Sequence, residues 1–211
     1  RIFFHLVENR SDDDFPFAFM ATYATEDEDK QIRHRSLEYA LTEYSGNREK
    51  LLALLSCLNR VSEVSDLMSD FIESGELFHP LRFTAEEAYA FLKQIEAIES
   101  CGVLCRIPNW WRHHTNRPSI SVSVGENKPS MLGFDALIKL QPQIVIDGVP
   151  MSMEEIQRLL KETEGLHLIK GKWVEVDHEK LHVLLERIDR LPGEASLLDV
   201  FRGDIKGISD G

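Results

Sequence analysis

The sequence contains little cysteine and no long apolar run. Only three cysteines, Cys57, Cys101 and Cys105, occur among 211 residues. An odd, small number in a chain of this size indicates a reduced, intracellular protein rather than a disulfide scaffold. No apolar stretch approaches the roughly 20 residues of a membrane-spanning helix. The chain also begins without methionine and without the layout of a secretory leader, so we expect a piece of a longer polypeptide.

Basic residues are in the minority. The chain has 24 Lys and Arg against 36 Asp and Glu, a net charge of −12, which argues against a protein that coats nucleic acid. The hydrophobic content of 43% is ordinary for a globular protein, and a chain of this length needs no metal or disulfide to hold a core. One stretch departs from the acidic average, because residues 101–150 carry five basic and three acidic side chains.

Catalytic motifs are also missing. A phosphate-binding loop needs G-x-x-x-x-G-K-[ST] between a strand and a helix. The nearest approach has Gly165 and Gly171 one residue too far apart and leads into a predicted strand. The acidic run at residues 27–30 lacks the apolar strand that would hold its carboxylates at Mg²⁺, which favours a solvated charge run. We therefore predict no catalytic residue, no cofactor and no enzymatic activity for this stretch of chain.

A zinc site is permitted by the spacing but not required by it. Cys101 and Cys105 have three residues between them and are followed by His113 and His114, and structural zinc sites use C-x₂₋₄-C pairs. A short cysteine pair beside apolar residues is more often part of a core. We therefore predict no metal.

Hydrophobic periodicity predicts an α+β fold, with a central helical portion between two β-rich portions. Residues 2–7 and 15–23 alternate as two strands of a hairpin, and Pro16 indicates that the second strand lies at a sheet edge or starts at this proline. Gly102 marks the point where helical spacing gives way to further strands. We expect two subdomains, residues 1–102 (strand hairpin and helices) and residues 103–211 (α+β).

Turn and cap residues divide the chain further. Two capping boxes are predicted, at Thr84 and Ser152. Hairpin turns are expected at residues 147–148 and 170–172. The remaining helix signals are N-caps at Ser36, Asn47 and Asp177, a break near residues 59–62, a C-terminal glycine at Gly75 and one last turn at residues 196–201. No internal repeat is evident in the sequence.

One polar and aromatic segment is conspicuous, at residues 106–117. It combines a proline and two histidines with the side chains that we predict to contact nucleic acid or a partner: Arg106, Trp110, Trp111, Arg112 and Arg117. Arginines neutralise phosphates, and tryptophan offers a stacking surface for unpaired bases. The alternative is structural, with one tryptophan filling the core and the other closing a loop beneath a stacked arginine.

Four unusual stretches occur in an order that resembles a known family. They are FHLVENR (4–10), LFHPLRFT (77–84), GVLCRIPNWWR (102–112) and EGLHLIKGKWVEVD (164–177). Together they resemble the accessory region, of unknown function, that lies N-terminal to the ATPase domain in bacterial Swi/Snf-type helicase-like proteins. The resemblance extends from about Phe3 to Leu191.

The resemblance implies the kind of protein to which the chain belongs, but it implies no catalytic residues in this chain. It implies a cytoplasmic bacterial protein that uses ATP to act on DNA, with ATP binding and hydrolysis in a downstream domain of the same polypeptide. This chain would be a non-catalytic accessory domain, with that ATPase domain and DNA as partners and no membrane contact. The alternative is a protein–protein interaction module without nucleic-acid contact, whose acidic runs at residues 12–14 and 26–29 face a basic partner.

Overall fold

The computed structural model divides the chain into two compact units, Arg1–His113 and His114–Gly211. It describes residues 1–26, 30–112, 119–124 and 140–189. Both units contain helices and strands, which confirms the predicted α+β class. Among the described residues, no helix has both the length and the apolar character needed to cross a membrane.

The first unit combines a five-stranded sheet with six described helices. Its strands are β1 (Ile2–Glu8), β2 (Phe17–Glu26), β3 (Ile32–Ser36), β4 (Leu81–Phe83) and β5 (Leu104–Arg106). Its helices are α1 (Glu38–Glu43), α2 (Arg48–Val64), α3 (Asp66–Ser74), α4 (Ala85–Lys93), α5 (Ile95–Ser100) and α6 (Asn109–Arg112), with a 3₁₀ turn at Glu76–Phe78.

The sheet is built on the predicted hairpin. β1 and β2 pair antiparallel from Ile2 opposite Tyr23 to Glu8 opposite Phe17. In the turn between them the Asp12 carboxylate accepts from the backbone N–H groups of Asp14 and Phe15, at 3.1 and 3.0 Å. The hairpin prediction is therefore confirmed, including the position of Pro16 just before the second strand.

The long strand β2 carries two short neighbours on its other side. β3 pairs with its final residues and β4 with its first three. β5 completes the sheet by pairing parallel with β1, giving the order β3-β2-β1-β5. Because β5 hydrogen-bonds with β1, the residues just after Gly102 lie in the first unit, and the division between the two units follows His113.

The prediction of Ser36 as a helix cap is wrong. Ser36 ends β3, where it pairs with Thr22, and its hydroxyl donates to the backbone oxygen of Phe78 at 3.4 Å. The N-cap position of α1 is Leu37 instead, and no side chain caps this helix. The reason is that β3 reads I-R-H-R-S, an edge strand without buried alternation, so its backbone pairing leaves little hydrophobic signal in the sequence.

Aromatic packing forms the core of the first unit. One face of the sheet presents Phe4, Leu6, Phe17 and Phe19, all buried. Phe19 stacks on Phe83 at 4.7 Å between ring centroids and meets Phe91 of α4 edge-on at 5.3 Å. Each buried phenylalanine removes on the order of 150–250 Å² from water, so burial of this face stabilises the unit.

Most helix ends are where the sequence predicts them. Asn47 accepts from the backbone of Lys50 at the start of α2, Thr84 forms a complete capping box with Glu87, and Gly75 ends α3 with φ +80°. The break expected near residues 59–62 lies instead at Ser65, a buried residue that caps α3 by accepting from Met68 at 3.2 Å. The helix predicted behind Thr84 divides into α4 and α5 at Gln94.

The second unit contains strands in two separate sheets. Its elements are β6 (Ser119–Val124), β7 (Leu140–Ile146), β8 (Val149–Met151), α7 (Met153–Leu159), β9 (Gly165–Ile169), β10 (Lys172–Val176) and α8 (His178–Asp189). β6, β7 and β8 form one antiparallel sheet, and β9 and β10 form a hairpin. Buried side chains of β7, β8 and β10 share one core with α7 and α8, including Ile144, Ile156, Val174 and Leu181.

Two hairpin–helix units follow one another in this part of the chain. The turns Asp147–Gly148 and Lys170–Gly171 both have positive φ at both central residues, at 49° and 78° and at 50° and 76°. This is the type I′ geometry that matches strand twist. Each hairpin leads into a helix capped by a side chain, Ser152 for α7 and Asp177 for α8. The predicted turns and caps are confirmed. The turn expected at residues 196–201 lies outside the described residues.

Candidate functional site

The polar and aromatic segment begins at an edge of the first sheet. β5 places Arg106 there, opposite His5 of β1. After Pro108 the chain forms the single helical turn α6, which begins with the Trp111 N–H donating to the Pro108 oxygen at 3.1 Å. Proline is well suited to the start of a helix, which agrees with the helical turn that follows Pro108.

Both tryptophans contact other residues of the first unit. Nε1 of Trp110 donates to Oε1 of Glu8 at 2.6 Å, and its ring lies 6.3 Å from that of Phe17. Trp111 packs at right angles to Trp110, and its ring also lies 6.3 Å from Tyr89. Both tryptophans are half-buried. Trp110 thus closes the end of the aromatic core where β1 ends and β2 begins.

Arg112 is also tied to its own segment. Its guanidinium donates to the backbone oxygen of Cys105 at 2.6 Å, while the side chain as a whole remains exposed. The Cys105 thiol beneath it is buried, and burial, followed by the neighbouring Glu99 carboxylate, raises its pKa to about 12. Such a thiol stays protonated at neutral pH and is a poor nucleophile.

Arg106 lies in a different environment. Its guanidinium sits 5.0 Å above the ring of Phe3, and Nη2 lies 3.3 Å from Nε2 of His34. His5, on the same face of β1, hydrogen-bonds through Nε2 with the Thr22 hydroxyl at 2.8 Å. Among the described residues, no carboxylate pairs with Arg106. The structure therefore adds His5, His34 and Phe3 to the predicted group, and we call Phe3, His5, His34 and Arg106 the β-face cluster.

The two imidazoles of the β-face cluster favour the neutral form. Burial lowers the pKa of His5 most, followed by the nearby charges of Arg106 and His34. Burial, and then Arg106, lowers the pKa of His34. At neutral pH the guanidinium is thus the charged group of the cluster, and it donates to an unprotonated imidazole.

Sequence reasoning missed both histidines for identifiable reasons. His5 stands in a strand between apolar neighbours, where a lone histidine carries no functional signal. His34 lies on β3, a strand that the sequence did not indicate. The signal that could have found them is the alternation of β1, which places Phe3 and His5 on one face and the buried Phe4 and Leu6 on the other.

A cavity of about 460 Å³ lies at the other end of the same sheet. Its polar lining includes Tyr23, whose hydroxyl donates to the Glu43 carboxylate. Burial, and then that hydrogen bond, raises the Tyr23 pKa to about 12. A protonated phenol bonded to a carboxylate that also accepts from Arg35 at 3.1 Å offers neither a free base nor an activated nucleophile.

Metal binding finds no support in the part of the chain that the structure describes, because no group of three or more ligating side chains gathers there. Cys101 and Cys105 are both buried, and Cys101 donates to the backbone oxygen of Ala97 at 3.4 Å. Among the other predicted positions, His113, His114 and the contact residue Arg117 lie outside the described residues.

Comparison with known proteins identifies the family. The model of a family described as "SNF2 Helicase protein" matches residues 76–204, which is more than half of the chain. The chain therefore belongs to this family of helicase-associated regions, and the resemblance seen in the sequence is confirmed. No solved structure matches the chain.

One curated relative adds to the comparison. It is the Bacillus subtilis (strain 168) protein named "Putative ATP-dependent helicase/translocase YwqA", which is 24% identical over 131 residues. The match covers 60% of this chain and 14% of that protein. The chain thus spans a small part of the length of the relative that it matches.

Proposed function

We propose that this chain is a non-catalytic accessory domain of a bacterial, cytoplasmic Swi/Snf-type ATPase that acts on DNA. The observation that carries the proposal is the family match over residues 76–204. The small share of the helicase-like relative that is matched supports placing ATP binding and hydrolysis in another part of the polypeptide. The absence of a phosphate-binding loop from this sequence agrees with that division.

The accessory role consists of a contact with DNA through the segment that begins at Arg106. Arg106 is exposed and has no carboxylate partner among the described residues, so its charge is available to a phosphate. Trp110 and Arg112 contribute by fixing the segment, because each already donates to a group of the same unit. Trp111 and Arg117 remain predicted contact residues.

Titration of a fluorescent DNA duplex with the chain tests this role. We expect binding at low salt that weakens steadily as salt is raised, since each neutralised phosphate releases a counterion. A single strand of the same sequence, measured in parallel, shows which form is preferred. If neither form binds even at low salt, the DNA contact is refuted while the family assignment stands.

A second role, contact with the ATPase domain without DNA, is favoured by the outer face of α2. Leu52 and Leu55 lie on this face with 55% and 45% of their surface exposed, and exposed leucines on one helix face are typical of an interaction surface. The acidic runs support this role less well. The Asp12 carboxylate already accepts two backbone N–H groups and pairs with Arg82 at 3.3 Å.

Co-purification with the separately produced ATPase domain distinguishes the two roles. Association through the α2 leucines would persist in high salt and be lost on changing Leu52 and Leu55 to serine, because apolar contacts do not depend on charge. Association that disappears in high salt, or that the double variant retains, excludes this surface.

A further inference from the structure

The sheet of the first unit has a second face, opposite its aromatic core. Along β1 this face presents Phe3, His5 and Val7, whereas Phe4 and Leu6 point into the core. Solvent reaches the second face, since Val7 is 55% exposed and Leu104 of β5 is 39% exposed. Phe3 itself is buried and His5 is half-buried, whereas His34 and Arg106 are exposed, so these two outer side chains are accessible to a large ligand.

Strand register brings the β-face cluster together on this surface. His5 pairs with Arg106 on one side, and Phe3 pairs with Thr22 on the other. His34 pairs with Ala24, whose small side chain leaves room for the imidazole to lean toward β1. As a result the rings of His34 and Phe3 lie only 4.5 Å apart, edge to face.

Three nitrogen-bearing groups thus surround one phenylalanine ring. The Arg106 guanidinium lies 5.0 Å above the ring, and the His34 and His5 rings lie 4.5 and 6.3 Å from it. The two imidazoles are 6.0 Å apart. Because the donors come from three different strands, they can approach one small ligand from several sides.

The charge of the cluster is uncompensated within the described residues. His5 hydrogen-bonds with the neutral Thr22 hydroxyl. The charged or titratable groups that act on the imidazoles are Arg106 for both and His34 for His5, and none of them is acidic. Glu26 is the acidic residue of β2, and it does not act on the charge of either imidazole. The Arg106 guanidinium therefore lies next to two neutral imidazoles without an anionic acceptor. An anion bound there would accept charge-assisted hydrogen bonds from it.

Arg82, on the same sheet, is an arginine whose charge is paired with a carboxylate. Its guanidinium also lies over a phenylalanine, 4.8 Å from the ring of Phe15. It differs in forming an ion pair with Asp12 at 3.3 Å. The two arginines share a strand environment, an aromatic neighbour and an exposed position, and they differ in the presence of a carboxylate.

We propose that the β-face cluster binds a backbone phosphate of DNA, with Arg106 supplying the fixed charge and His5 and His34 supplying further donors. The proposal rests on the proposed function and locates its DNA contact. A phosphodiester matches the cluster because its two free oxygens can accept from the guanidinium and from the imidazoles at once. The contact reads no base and therefore positions DNA without sequence preference.

The histidines make this contact dependent on pH. In the free protein Arg106 disfavours a second positive charge, whereas a bound phosphate favours protonation of both imidazoles. Binding then takes up protons, so the affinity for DNA increases as the pH falls from about 7.5 to about 5.8, around the ordinary histidine pKa.

Paired variants test the proposal with a labelled 20-base-pair duplex in fluorescence anisotropy. Arg106→Gln should weaken binding about tenfold and lower the salt slope by about one. The matched control Arg82→Gln, which also removes one charge over a phenylalanine, should change the affinity by less than about twofold, because that charge is already paired. The variant His5→Gln/His34→Gln should abolish most of an increase of about fivefold between the two pH values.

The outcomes distinguish the β-face cluster from the more general proposal that the chain contacts DNA. Binding by the unchanged chain with equal losses in the Arg106 and Arg82 variants would refute the cluster and leave the DNA contact intact. An unaltered pH dependence in the double-histidine variant would refute the part assigned to the imidazoles. No binding by the unchanged chain would overturn both the contact and the site. Circular dichroism of each variant shows whether the fold is retained.

Discussion

The hydrogen bond between Trp110 and Glu8 should couple the polar and aromatic segment to the hairpin. The indole N–H lies 2.6 Å from a carboxylate oxygen, and a hydrogen bond to a charged group contributes about 1.5–3 kcal/mol. The Glu8 side chain is 24% exposed, so partial screening by water places the value near the lower limit. We predict a coupling free energy of about 1–1.5 kcal/mol.

A double-mutant cycle measures this coupling. Trp110→Phe keeps a ring against Phe17 but removes the donor, and Glu8→Ala removes the acceptor. Urea unfolding of the two single variants, the double variant and the unchanged chain, followed by circular dichroism, gives the four free energies. The cycle cancels the separate effects of lost indole surface and of the altered Glu8–Arg10 pair at 3.4 Å.

The cycle also bears on what Trp110 does. A coupling below about 0.3 kcal/mol, the limit of additivity for independent sites, would refute Trp110 as an anchor of the segment. The anchor role further predicts that Trp110→Phe retains most of its DNA affinity. A loss as large as that in the Arg106 variant would instead indicate direct stacking on a base.

Three further predictions concern stability and thiol chemistry. Replacing Thr84 by alanine removes the capping box of α4 and should lower the free energy of unfolding by about 1 kcal/mol, measured in urea; a change below the error of the measurement would contradict the cap. The Cys105 thiol, with its pKa raised to about 12, should resist a thiol reagent at pH 8 until the protein unfolds, and rapid labelling in native buffer would contradict its burial. Because the pKa values of His5 and His34 are lowered on folding, the unfolded state binds more protons, so their stabilising contribution is present above about pH 6.5 and is lost as the pH falls through the folded values. The urea midpoint should therefore fall more between pH 7 and 5 in the unchanged chain than in His5→Gln/His34→Gln, and equal falls would contradict the lowered values.

Local signals in the sequence were sufficient for the two capping boxes and for the tight turns. Thr84 and Ser152 each form the predicted capping box, and Asp147–Gly148 adopts the backbone that its residue types favour. These features depend on residues within four positions of one another, and the sequence therefore contains the whole interaction. The similarity between the two hairpin–helix units is not evident in the sequence, because their second strands, β8 and β10, differ in length.

The features that could not be predicted depend on pairing between strands that are far apart in the sequence. β3 and β4 are strands because β2 offers them its free edge. β3 shows no apolar alternation of its own, and β4 is only three residues long. The same holds for the candidate site. Arg106 was evident as a basic residue beside tryptophans, but its neighbours His5 and His34 lie 101 and 72 positions away in the chain. They meet it only through the register of β1, β3 and β5.

The accessory role is tested most directly by the ATPase activity of the full-length protein with and without this region. We predict that removing the region leaves ATP hydrolysis in the absence of DNA unchanged, within about twofold, because the proposed function places ATP binding in another part of the polypeptide. Stimulation by DNA should then require a higher DNA concentration, as it should in the otherwise intact Arg106→Gln protein. Loss of basal hydrolysis on removal would contradict a non-catalytic domain, and an unchanged response to DNA would contradict its proposed contact.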